Sequence, residues 1–65
     1  MGDEGVMCEF KVFLEGKEVF RDVIYAKMVG EDLVLRDVMG EVRRFPNSRI
    51  AEMDVASARL VIERG

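Results

Sequence analysis

The 65-residue chain contains no histidine and no tryptophan, and it has one cysteine and one proline. Without histidine, the commonest general base and the commonest transition-metal ligand are both missing, so we expect that the protein is not an enzyme. One cysteine cannot form an internal disulfide, and a lone thiol favours the reducing cytoplasm. The apolar runs of the chain are far shorter than the about 20 residues that span a bilayer. Its acidic first residues do not resemble a signal peptide.

The size and charge of the chain limit what it can be. It carries 13 acidic and 10 basic residues, a net charge of −3, which argues against binding nucleic acid with its whole surface. A chain this short buries only about 60% of its unfolded surface, and small domains often rely on a disulfide, a metal or a partner subunit. We expect a flexible extension over residues 1–5 and one domain over residues 6–65.

Alternating apolar and polar residues predict a series of short strands. In the first, Cys8, Phe10, Val12 and Leu14 share one face, while charged residues fill most of the other. Further strands are predicted over 23–29, 33–38, 42–45 and 59–63, after a return strand that begins at 19–20. Short strands with turn signals between them and no helical period predict an all-β fold, a small antiparallel β-barrel of about five to seven short strands.

Three places in this pattern are less regular. Gly16-Lys17 is the predicted hairpin turn after the first strand, because glycine accepts a positive φ. Arg21 and Asp22 interrupt the apolar pattern between the second and third predicted strands. Ile50 and Met53 are three residues apart, which fits one helical turn, although the same segment fits an irregular strand.

One basic stretch, "RRFPNSR" over residues 43–49, is a candidate nucleic-acid site. Its side chains include three arginines, an aromatic ring and an amide: Arg43, Arg44, Phe45, Asn47 and Arg49. Arginines that bind phosphates and a ring that stacks on a base are a common way to hold single-stranded RNA. The sequence therefore allows an RNA-binding β-barrel as an alternative function.

The same stretch has a purely structural interpretation. Adjacent arginines in a strand point to opposite faces and therefore do not form one joint binding surface. In this interpretation they form ordinary surface ion pairs, and Phe45 belongs to the core. The acceptors then expected are Glu41, Glu52 and Asp54. A protein-interaction module that uses exposed methionine and valine side chains is a further alternative.

The chain resembles the small CooT-like proteins, some of which have been labelled predicted RNA-binding proteins. The resemblance covers residues 7–63 and is carried best by Met7-Cys8, by the Gly40-Glu41 turn and by Ile50-x-Glu52-x-Asp54. It implies a small β-barrel, a homodimer, and Ni(II) bound by the cysteine that follows the start methionine, one from each subunit. At the matching position of this sequence, that ligand is Cys8.

The chemistry of Cys8 depends on where the chain starts. An N-terminal cysteine offers an amine and a thiolate as a five-membered chelate, and two such ends supply the square-planar nitrogen and sulfur ligands that suit Ni(II) or Cu(II). Here "MGDEGV" precedes Met7, so a chain that starts at Met1 has only an amide nitrogen at Cys8. From its spacing alone, in phase with Phe10, Val12 and Leu14, Cys8 is better explained as a small core residue.

Overall fold

This computed structural model describes residues 9–65 of the chain. These residues form six strands and contain no helix. They are β1 (Phe10–Leu14), β2 (Lys17–Val29), β3 (Asp32–Asp37), β4 (Val42–Phe45), β5 (Ser48–Asp54) and β6 (Arg59–Arg64). The predicted all-β fold is confirmed, and the segment around Ile50 and Met53 is a strand rather than a helical turn. Cys8 and the expected extension over residues 1–5 lie outside the described residues.

The strands form one six-stranded sheet in the order β4-β3-β2-β1-β6-β5. All neighbours are antiparallel except β1 and β6, which pair in parallel from Lys11 with Arg59 to Leu14 with Ile62. The sequence predicts an antiparallel barrel, whereas the sheet is mixed. The β5–β6 hairpin sets the direction of β6, and this direction makes β6 parallel to β1 when the two meet.

The link between β4 and β5 forces the sheet to curl into a half-barrel. These strands lie at opposite edges, which in a flat six-stranded sheet are about 24 Å apart, at about 4.8 Å per strand. Only Pro46 and Asn47 join them, and three residue steps span at most about 11 Å. The edges therefore approach each other, and the Ser48 backbone N–H donates to the Glu31 carbonyl at 3.1 Å.

A bend divides β2 into a first part that pairs with β1 and a second part that pairs with β3 alone. Phe10 pairs with Val23 and Val12 pairs with Phe20, so β2 has an extra residue here, and Asp22 takes a φ of 58°. Such a bulge bends the strand and increases its twist. The predicted interruption at Asp22 is therefore a bulge within one 13-residue strand. Beyond it, β2 leaves β1 and continues in its pairing with β3.

The first hairpin turn lies one residue earlier than predicted. Leu14 pairs with Lys17, and the two residues between them, Glu15 and Gly16, have φ values of 53° and 81°. Positive φ at both central residues defines the type I′ turn, whose twist matches that of the flanking strands. The strand twist thus selects this turn even though glutamate has to adopt the left-handed conformation.

The core fills the concave side of the curled sheet. Its fully buried members, at most 2% exposed, come from three strands and from the bend in β2: Val12, Val23, Leu33, Leu35, Leu60 and Ile62. Phe10, Leu14 and Phe20 complete it, and the half-buried Val19 and Phe45 pack against it. The predicted inward faces of β1, β3 and β6 are confirmed by these residues. Alternation places them on one face because strand side chains have a period of two.

Candidate functional site

An apolar groove opens between the second half of β2 and β5. It has a volume of about 80 Å³, and it is lined by Phe10, Val23, Ile24, Tyr25, Ala26, Ile50, Met53 and Leu60. Phe10, Val23 and Leu60 are buried and form its floor, whereas the other lining residues are exposed. The groove is the place where the half-barrel remains unclosed, because β2 has left β1 there and β5 is an edge strand.

The rim of this groove is unusually apolar for exposed side chains. Ile24 is 41% exposed, Ile50 39% and Met53 58%. Ile50 pairs with Ile62 and Met53 pairs with Leu60, and a bulge between Ile50 and Glu52 puts both on the inner face although they are three residues apart. The spacing that resembled a helical turn therefore results from a bulged strand. Adjacent exposed apolar side chains are typical of a surface that binds a partner.

Cys8, the predicted metal ligand, lies outside the described residues. Within residues 9–65, no three side chains of the histidine, cysteine, aspartate or glutamate type lie together as a metal site would require. The assignment of Cys8 as a ligand stays a prediction.

The structure splits the basic stretch between two faces of the sheet. Arg43 lies opposite Leu35 on the inner side, where its guanidinium carbon is 5.0 Å from the centre of the Phe20 ring. Arg44 lies opposite Val34 on the outer side. Phe45 is half-buried against the core, as the structural interpretation predicts. The ring and the arginines of residues 43–49 do not form one common face.

Each of the three arginines has a carboxylate partner. Arg43 pairs with Glu41 at 3.5 Å, as predicted. Arg44 pairs with Asp32 at 2.8 Å and Arg49 with Glu63 at 2.6 Å, so the predicted acceptors Glu52 and Asp54 are wrong. These partners follow from the strand register, in which residues far apart in the chain become neighbours.

Asp32 ties the end of β3 to the turn that joins the sheet edges. The Arg44 guanidinium, and then the Asn47 backbone N–H, donate to its carboxylate and hold its pKa below the usual value. Asn47 takes a φ of 50°, and its side-chain amide donates to the Gly65 carbonyl at 3.1 Å. Asn47, a predicted RNA contact, thus has a structural role in this turn.

Asp54 has a similar local role at the other end of β5. Its carboxylate accepts hydrogen bonds from the backbone N–H groups of Ala56 and Ser57, which closes the turn into β6. A hydrogen bond from the Ser57 side chain is the largest contribution that lowers the pKa of Asp54. Asp54 is therefore occupied by its own turn and does not pair with the basic stretch.

The curled six-stranded sheet and its open apolar groove define a class of small all-β half-barrel proteins. Within this class, the model of one family, described as CO dehydrogenase accessory protein CooT, matches residues 7–63. The chain belongs to the CooT family. No curated protein matches the chain. Residues 9–65 contain no helix that is long and apolar enough to cross a membrane.

Proposed function

We propose that this protein is a non-enzymatic, cytoplasmic accessory protein of CO dehydrogenase that binds Ni(II) through Cys8. The single observation that carries the proposal is membership of the CooT family over nearly the whole chain, with Met7 as the first matched residue. Cys8 is the only thiol of the chain, which also lacks histidine. A soft thiolate is the side chain here that best favours Ni(II) over the more abundant Mg²⁺ and Ca²⁺.

Titration of Ni(II) into the protein tests this proposal. Thiolate-to-metal absorbance should rise with added metal and saturate, and the Cys8→Ser variant should show neither the absorbance nor the binding. The serine control removes the thiolate with little change in size. Equal Ni(II) affinity of the two proteins would contradict the proposal.

We further propose that the protein is a homodimer whose subunits meet at the apolar groove. Covering Ile24, Ile50 and Met53 would bury side chains that are each at least 39% exposed in the single chain. In such a dimer each subunit would supply its single thiol, Cys8, to one shared metal ion.

The substitution Met53→Lys should disrupt this dimer. The Met53→Lys substitution puts a charge into the covered groove, and desolvation of that charge should weaken dimerisation at least about tenfold, or about 1.4 kcal/mol. Sedimentation velocity across a concentration series measures the change. Met39→Lys is the matched control, because Met39 is 86% exposed in the β3–β4 turn. A wild-type protein that is monomeric at high micromolar concentration, or equal effects of both substitutions, would refute the interface.

A further inference from the structure

The outer face of β2, β3 and β4 carries a patch of alternating cations and apolar groups. Directly opposed residues share a face, so the register gives two rows across the sheet: Tyr25, Arg36 and Val42 in the first, and Lys27, Val34 and Arg44 in the second. Val29 and Asp32 form a shorter third row. These rows point away from the core, since the residues between them on β3, Leu33 and Leu35, are fully buried.

This outer face has the opposite charge to the chain as a whole. The rows place three cations, Lys27, Arg36 and Arg44, on this face together with one carboxylate, that of Asp32. Asp32 already pairs with Arg44. No carboxylate of residues 9–65 lies within ion-pair distance of Lys27 or Arg36. A patch with a net charge of about +2 on a protein whose net charge is −3 concentrates the attraction for an anionic partner at one place.

The apolar members of the patch indicate what kind of anion it fits. Val42 is 58% exposed and Val29 37%, and they flank the cations with aliphatic surface that suits the side chains of a protein better than a sugar–phosphate backbone. The Arg36 guanidinium carbon lies 4.4 Å from the centre of the Tyr25 ring. It therefore covers one face of the ring and closes that face to a stacking base.

We infer that the outer face of β2, β3 and β4 is a docking surface for an acidic, apolar-containing surface of a protein partner. Lys27 and Arg36 supply charges that are not already paired within residues 9–65, and Val34 and Val42 supply the apolar contact. The patch lies on the opposite side of the sheet from the apolar groove and meets it only at Tyr25. A partner can therefore dock while the groove is covered.

Binding to CO dehydrogenase tests this inference, which rests on the proposed function only for the choice of this partner. The purified enzyme is immobilised, and association of this protein is followed by biolayer interferometry at about 0.05 M and about 0.5 M salt, where screening differs strongly. Lys27→Glu with Arg36→Glu should weaken binding at least about tenfold at low salt, mainly through slower association. The control, Lys11→Glu with Arg59→Glu, makes the same change in charge on the outer face of β1 and β6. There Lys11 and Arg59 lie opposite each other in the strand register.

The two charge variants and the oligouridine probe distinguish a specific docking surface from a general effect of charge. Selective loss in the Lys27/Arg36 variant, with binding kept in the Lys11/Arg59 control, supports the docking surface. Equal loss in both, no binding of the wild type, or binding of a fluorescent 12-residue oligouridine in place of the enzyme would overturn it. Lys27→Ala with Arg36→Gln repeats the test without like-charge repulsion if the glutamate variant unfolds. Ni(II) titration of the same variants should be unchanged, so a failure of docking is distinguishable from a failure of the metal proposal.

Discussion

Leu35→Ala should strongly destabilise the protein. Leu35 is fully buried at the centre of β3, between Ala26 of β2 and Arg43 of β4. Truncating a buried leucine costs about 2–5 kcal/mol, because apolar contacts are lost and the cavity collapses only in part. A domain of this size has about 3–10 kcal/mol in total, so the substitution removes a large share of its stability.

Thermal unfolding followed by circular dichroism measures this loss. For a domain of this size, each kcal/mol lowers the midpoint by about 4–8 °C, so a fall of at least about 8 °C is expected. Val34→Ala, one residue earlier on the outer face, is the matched control and should cost under about 1 kcal/mol. Equal midpoints for the two variants would mean that the inward face of β3 has been assigned to the wrong residues.

A chain that begins at Cys8 should bind Ni(II) far more tightly than the chain that begins at Met1. The shortened chain offers both an amine and a thiolate, which close a five-membered ring on the metal. In the longer chain the same nitrogen is a peptide amide, which must lose a proton to coordinate. We expect an affinity difference of at least about a hundredfold, or about 2.7 kcal/mol, near neutral pH.

Competition against a chelator at several pH values measures this difference. In both chains the thiol releases a proton when it binds the metal, as does the nitrogen beside it, an amine in one chain and an amide in the other. Affinity should therefore rise with pH in both chains. The steeper rise is expected for the Met1 chain, where the amide is the harder group to ionise. Equal affinities would mean that the N-terminal amine is not a ligand, and Cys8→Ser in each chain gives the baseline.

The sequence was sufficient to predict the strands whose alternation is unbroken. β1, β3 and β6 each have alternating residues on a buried face, and burial of one face fixes the assignment. It was insufficient where an extra residue breaks the period. Asp22 appeared to end a strand, and the spacing of Ile50 and Met53 fitted a helical turn as well as an irregular strand, yet both features are bulges. A bulge depends on the partner strand, which a local pattern does not contain.

The features of the candidate site that depend on long-range pairing could not be predicted. The apolar groove lies between β2 and β5 on the open side of the sheet. The only sequence signal for it is the apolar character of Ile24, Ile50 and Met53. The acceptors of Arg44 and Arg49 come from β3 and β6, which only the register identifies. Opposite faces for Arg43 and Arg44, by contrast, followed from alternation alone.

Native mass spectrometry of the protein with Ni(II) is the most direct test of the proposed metal site. If the Cys8 thiolates of two chains share one ion, the spectrum should contain a species of two chains and one nickel, and Cys8→Ser should remove the nickel. The chain that begins at Cys8 should give the same species at a lower metal concentration. One nickel on each single chain, or nickel retained by Cys8→Ser, would contradict a shared cysteine site.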